Sequence, residues 1–125
     1  ILGDEDTPFR THCIPNGKTM AQLHFDGNMI AKTEQLMSWG DRKVEFLPKQ
    51  VKLFADGAVF SQAMQIKDVC LDGHKGEWML DLDIFEKAFA KYCQAGYQIH
   101  IHQNSDAGLE MNIDNIEKKY VARHT

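Results

Sequence analysis

The chain has 125 residues, the length of one domain, and its composition of 43% hydrophobic and 26% charged residues is typical of a globular protein. A formal net charge of −4 gives no electrostatic basis for nucleic-acid binding. The apolar runs are far shorter than the roughly 20 residues that a membrane helix requires.

The three cysteines are widely spaced, which argues against a disulfide framework or a zinc knuckle. They are expected to be reduced thiols in a cytoplasmic protein. The first residues, "ILGDEDTPFR", include neither a starting methionine nor a signal peptide. We therefore expect a processed piece, or part of a longer chain.

Short strand-like runs alternate with helical periodicities along the chain. The turn residues Pro15-Asn16-Gly17 end the first predicted strand, and Gly27 and Asn28 interrupt the first helical pattern. The predicted elements are a strand over 9–14, a helix over 18–39, a connector over 40–50, a strand over 51–57, an irregular loop over 58–81, a helix up to Gly96, a strand over 97–103, and a helix from Ser105 or Asp106.

Two helical patterns carry more detailed predictions. The second predicted helix is expected to begin near Asp81 or Asp83, since Asp83 and Glu86 have the spacing of a capping box. The last helix has one apolar stripe, which is expected to lie in the core: Leu109, Ile113, Ile116 and Tyr120.

The resulting order is βαβαβα, which predicts an α/β fold with parallel strands. Two architectures fit this order, a small doubly wound sheet and a segment of a TIM-type (β/α)8 barrel. In both, functional groups gather at the carboxyl ends of the strands. The loops that follow Gly57 and His102 begin at those ends.

Alternation along the second and third strands separates two faces. One face is apolar, and the other carries Lys52, Asp56, His100 and His102. Alternation alone favours a Lys52 that is paired with a buried carboxylate, because an inward lysine charge is costly. The same reasoning favours His100 as a hydrogen-bonded interior residue, whereas His102 lies at the rim, where an imidazole can bind zinc.

Three motifs occur in order: "VKLFADGA", "LDGHKGEW" and "AGYQIHIHQNSDAG". Together they closely resemble the YtcJ-like branch of the metal-dependent amidohydrolase superfamily, over roughly residues 50–117. The resemblance implies a (β/α)8 barrel, of which residues 1–125 look like a single partial domain covering the third, fourth and fifth β/α units.

The resemblance also implies a site with one or two divalent metal ions, expected to be zinc. Lys52 matches a lysine that can be carboxylated and bridge two metals, and His102 matches a metal-binding histidine. The residues expected to face the substrate are Asp56, His74 and Asp106. The implied reaction is attack of metal-activated water on a carbon–nitrogen bond of a small, non-peptide amide substrate.

The chain departs from the family pattern in ways that predict a limited activity. Ser105 replaces the glycine that usually precedes the aspartate, although serine suits the start of a helix. The first-strand HxH pair, a later histidine and the last-strand aspartate that would act as base do not occur in this sequence. We therefore expect the isolated chain to be inactive and to bind metal weakly. Its unpaired edge strands are expected to lead to self-association or to a flattened, open sheet.

Two other functions fit parts of the sequence. Lys52 on a barrel strand could form a Schiff base with a carbonyl substrate. A small α/β module could instead bind a ligand or partner without catalysis. Neither GxGxxG nor GxxxxGK[ST] occurs, so no motif indicates nucleotide binding.

Overall fold

The computed structural model describes residues 4–25 and 27–124. Its elements are β1 (Thr11–Cys13), α1 (Gly17–His24), α2 (Met29–Met37), β2 (Val44–Phe46), β3 (Gln50–Phe54), α3 (Leu82–Gln94), β4 (Gln98–His102) and α4 (Asp106–His124). Among the described helices, none combines the length and the apolar character needed to cross a bilayer.

The strands form two small parallel sheets, β1 with β2 and β3 with β4. A single parallel bridge joins them, in which the Lys52 amide donates to the Pro15 carbonyl over 2.9 Å. Strand β3 therefore has β4 on one edge and the continuation of β1 on the other. The predicted α/β fold with parallel strands is confirmed.

The prediction of a connector over 40–50 is wrong, because β2 lies within it. Val44 and Phe46 pair with Thr11 and Cys13, although Pro48 and the positive φ of Lys49 (53°) break the extended run before β3. This interruption leaves β2 only 3 residues long. A strand that short lacks enough alternation to be recognised in the sequence.

The helix predicted over 18–39 is two helices. Gly27 has a φ of +122° between α1 and α2, so the break lies where the sequence indicated it. The α1 helix begins with the Asn16 side chain accepting a hydrogen bond from the Thr19 amide over 3.3 Å. Gly17 then lies directly against β3.

The core lies between β3 and the helices α1, α2 and α3. The β3 residues Val51 and Leu53 are fully buried, as their alternation predicts. From α3 they are joined by Phe85, Phe89 and Tyr92. The Tyr92 hydroxyl lies 2.7 Å from the Thr33 hydroxyl, so the polar tip of this core tyrosine is satisfied within the core.

Helix α3 does not use the predicted capping box. Asp81 caps it by accepting from the Asp83 amide over 3.0 Å, while Glu86 pairs with Lys118 on α4. The helix ends as predicted, because Gly96 adopts a φ of +79° and its amide donates to the Cys93 carbonyl.

Helix α4 presents the opposite face from the one predicted. Leu109, Ile113 and Ile116 are about half exposed, at 46–53%, whereas Asn112 and Asn115 are buried. The side chain of Tyr120, the fourth member of the predicted stripe, lies outside the described residues. Ser105 starts the helix as predicted, with its hydroxyl accepting from the Gly108 amide over 2.9 Å.

Candidate functional site

The polar face of the β3–β4 pair brings four half-buried side chains together. The parallel register places Lys52 beside His100 and Phe54 beside His102. The Lys52 ammonium lies 5.7 Å from the centre of the Phe54 ring, and the Phe54 and His102 ring centres are 5.8 Å apart. Lys52 and His102 thus share a face, with Phe54 in contact with both.

Lys52 does not have the buried carboxylate partner that alternation alone favoured. Among the described residues it makes no ion pair, and its ammonium lies over the Phe54 ring instead. Asp56, the nearest carboxylate along the strand, engages backbone amides. The half-buried lysine is therefore held by an aromatic contact, a weak substitute for a counter-ion.

The two histidines have different partners, as their positions predicted. His100 Nε2 lies 2.8 Å from Gln50 Oε1, which matches a hydrogen-bonded interior histidine. His102 Nε2 lies 3.0 Å from Asn104 Nδ2. Because an amide nitrogen only donates, His102 Nε2 accepts this bond. A metal ion that bound Nε2 would have to displace the Asn104 side chain, because each ring nitrogen has one lone pair.

Asn104, for which no role was predicted, connects His102 to the end of β3. Its backbone amide donates to Asp56 Oδ1 over 2.9 Å, and its side-chain nitrogen also donates to the Gly57 carbonyl over 2.8 Å. The only sequence signal was its place in the polar run after His102. The hydrogen bond from the Asn104 side chain to His102 Nε2 orients the His102 ring.

The long loop is anchored by the two aspartates that were predicted to bind substrate. Asp56 is fully buried, and its second oxygen accepts from the Gln65 amide over 3.0 Å. Asp106 is exposed, and its Oδ1 accepts from the Lys67 amide over 3.1 Å. Both carboxylates thus bind the loop backbone in this structure. Their role toward a substrate stays a prediction.

His74, the third predicted substrate residue, lies in a separate cluster within the loop. Its Nδ1 is 2.6 Å from Asp72 Oδ1, and its Nε2 is 3.1 Å from the Gln62 carbonyl. The hydrogen bond with Asp72, aided by the Gln62 carbonyl, raises the pKa of His74, and the same bond with His74 lowers the pKa of Asp72. The Cys70 sulfur lies within 4.8 Å of a potential metal-binding atom of Asp72 and of one of His74.

The strand face fits a divalent metal only in part. His102 would offer Nε2 once the Asn104 side chain left it, and Lys52 would offer carbamate oxygens if it were carboxylated. A catalytic zinc ion normally has three protein ligands. Among the described residues, His100 is the one further nitrogen ligand on this face, and its Nε2 is bonded to Gln50.

Comparison with known proteins finds similarity in structure alone. No protein-family model and no curated protein matches the chain. A crystal structure of an uncharacterized metal-dependent hydrolase from Pyrococcus horikoshii is similar over 74% of this chain and 20% of its own, with a TM-score of 0.57 and 19% identity. A second uncharacterized metal-dependent hydrolase, from Pyrococcus furiosus, is similar over 73% of this chain and 20% of its own, with a TM-score of 0.55 and 20% identity.

At this level of identity the likeness establishes a shared fold. The chain spans about one fifth of the length of the two hydrolases, since 20% of each is covered.

Proposed function

We propose that the chain is part of a metal-dependent hydrolase that cleaves a carbon–nitrogen bond of a small, non-peptide amide. The observation that carries this proposal is the register of β3 and β4, which puts Lys52 and His102 on one half-buried face, with His102 at the carboxyl end of β4 and Lys52 two residues before the end of β3. The shared fold with two proteins described as metal-dependent hydrolases supports it.

In this proposal Lys52 and His102 hold a divalent ion, with zinc as the expected metal. When bound, the ion supplies a Lewis acid that activates water and polarises the amide carbonyl. Carboxylation of Lys52 would replace a half-buried cation, now in contact with Phe54, by an anionic oxygen ligand. Carboxylation would therefore explain why Lys52 faces inward without a carboxylate partner.

The other predicted residues position the site. The Asp56–Asn104 bond holds Asn104 beside His102, where the Asn104 side chain orients the ring. Asp106, where the long loop meets the start of α4, and His74, farther along that loop, would act on the substrate. We place the catalytic base and the remaining ligands elsewhere in a complete TIM-type barrel with one or two metal ions. The 125-residue chain alone is then inactive.

Zinc binding to the 125-residue chain tests the proposal. The Cys70→Ala/His74→Ala background removes the loop cluster, so that only the strand face is measured. In that background, equilibrium dialysis with metal analysis should detect zinc binding. Lys52→Ala and His102→Ala should each weaken this binding at least about tenfold, because loss even of a residue that only orients a metal ligand lowers metal affinity by about that factor.

Matched controls are His12→Ala on β1 and Lys32→Ala on α2, both at exposed positions. They should leave zinc binding unchanged. Equal zinc binding by all four variants would refute the assignment of Lys52 and His102. A separate ¹³C NMR measurement in labelled bicarbonate should show a carbamate signal that Lys52→Ala removes and Lys32→Ala keeps.

One alternative keeps Lys52 as a nucleophile. Its ammonium makes no ion pair among the described residues, and a lysine held against an aromatic ring could form a Schiff base. Borohydride reduction in the presence of a carbonyl compound would then trap an adduct on Lys52. A non-catalytic α/β module would show neither the adduct nor zinc binding at the strand face.

A further inference from the structure

The loop between β3 and α3 carries a second set of metal-binding side chains. Cys70, Asp72 and His74 each place one ligand atom within 4.8 Å of the others. We propose that these three residues bind a zinc ion, at a site separate from the strand face of Lys52 and His102. This proposal does not depend on the hydrolase activity.

The backbone of residues 70–74 is folded into a tight turn that gathers these side chains. The Cys70 amide donates to the His74 carbonyl over 2.9 Å, and the Gly73 amide donates to the Cys70 carbonyl over 2.8 Å. Gly73 has a φ of +84°, a conformation in which glycine carries no steric cost. The sequence Cys-Leu-Asp-Gly-His thus brings alternate residues to one point.

His74 is oriented as a metal-binding histidine would be. Its Nε2–H donates to the Gln62 carbonyl over 3.1 Å, which leaves Nδ1 as the nitrogen that faces Asp72 Oδ1 at 2.6 Å. In zinc sites the second ring nitrogen commonly donates to a carbonyl in this way, fixing the tautomer and the ring plane. Gln62 would be the supporting residue.

The spacing requires only small movements to accept an ion. Two nitrogen or oxygen ligands of one tetrahedral zinc lie about 3.4 Å apart, and a sulfur ligand lies about 3.6 Å from either. Asp72 Oδ1, now 2.6 Å from His74 Nδ1, must move away from it, and the Cys70 sulfur lies within 4.8 Å of the other two ligand atoms. The Asp72 side chain is 64% exposed and can change its rotamer without breaking core contacts.

The chemistry of the three ligands favours zinc over magnesium or calcium. A thiolate and an imidazole suit a borderline-soft ion, whereas magnesium and calcium prefer oxygen ligands. Three protein ligands leave a fourth position for water or a small anion. A cavity of about 370 Å³ adjoins the cluster and provides room for it, lined by Val59, Gln62, Met64, Cys70, Leu71 and Asp72.

Cobalt substitution of the intact 125-residue chain tests the site. Co²⁺ bound by a thiolate gives a sulfur-to-cobalt charge-transfer band in the near ultraviolet, which the cysteine-free strand face cannot produce. Titration should develop this band up to one equivalent per chain, and added Zn²⁺ should bleach it. Cys70→Ser should remove the band, and His74→Gln should weaken cobalt binding at least about tenfold.

The control Cys13→Ser, on β1, should keep the band, as should Lys52→Ala and His102→Ala. Circular dichroism of each variant establishes that it is folded. Absence of the band from the wild-type chain would overturn the proposal, as would its survival in Cys70→Ser. Since the strand-face test uses a background without Cys70 and His74, either site can fail while the other stands.

Discussion

At the scale of single residues, Asp56 has the largest structural influence near the candidate site. It is fully buried, and each carboxylate oxygen accepts one backbone amide, from Gln65 in the loop and Asn104 after β4. Hydrogen bonds to a charged acceptor contribute about 1.5–3 kcal/mol each. We expect Asp56→Ala, which removes both bonds, to lower the free energy of unfolding by about 3–6 kcal/mol, measured by urea denaturation.

The same substitution should also accelerate hydrogen exchange at the two amides it leaves unpaired. Asp68→Ala, at an exposed position of the same loop, is the matched control and should change stability by no more than about 0.5 kcal/mol. If the two variants were equally stable, Asp56 would not be the anchor of the loop.

The burial of a residue was predictable from alternation within its own strand, whereas contacts between residues of two strands were not predictable from the sequence. Alternation correctly separated buried Val51 and Leu53 from Lys52 on the opposite face. It did not reveal that Phe54 would contact both Lys52 and His102, since that contact requires the register of β3 with β4. The role of Asn104 also depends on this pairing.

At the scale of elements, α1 packs closely on β3 because Gly17 has no side chain. A Cβ added to Gly17 would lie 2.7 Å from Val51 Cγ2 and 2.8 Å from Leu53 Cδ2, both closer than carbon atoms pack. We expect Gly17→Ala to destabilise the chain by about 1–3 kcal/mol, the usual cost of overpacking. Urea denaturation would measure it.

Gln22→Ala, at an exposed position of the same helix, is the control and should leave stability within about 0.5 kcal/mol. Because β3 carries Lys52, Gly17→Ala should also weaken zinc binding at the strand face, whereas Gln22→Ala should not. A Gly17→Ala variant as stable as wild type would mean that α1 can move away from β3 without cost.

The order of the longer elements was predictable because each repeats its period several times. Helix α3, with 13 residues, and the 5-residue strands β3 and β4 all lie where periodicity indicated. The 3-residue strand β2 was missed, because three residues do not establish a period. The sequence did not identify Asp81 as the N-cap of α3, because Asp83 and Glu86 also have the spacing of a capping box.

At the scale of the whole molecule, α4 shows an inverted distribution of polar and apolar residues. Asn112 and Asn115 are buried, and their Oδ1 atoms have no hydrogen-bond partner among the described residues. The apolar stripe that the sequence predicted as core faces outward. Periodicity identifies an apolar face but not the surface that covers it, which is why this prediction failed.

We predict that this stripe makes the chain self-associate, since exposed apolar patches of this kind drive association. Light scattering over a concentration series should show species larger than a monomer. Ile113→Lys with Ile116→Lys should shift them toward monomer, because charges on the stripe resist burial. The control pair Gln22→Lys with Gln94→Lys adds the same charge at exposed positions of α1 and α3 and should not change the size. A wild-type chain that stays monomeric at every concentration, or equal effects of the two pairs, would show that the α4 stripe does not mediate contact between copies.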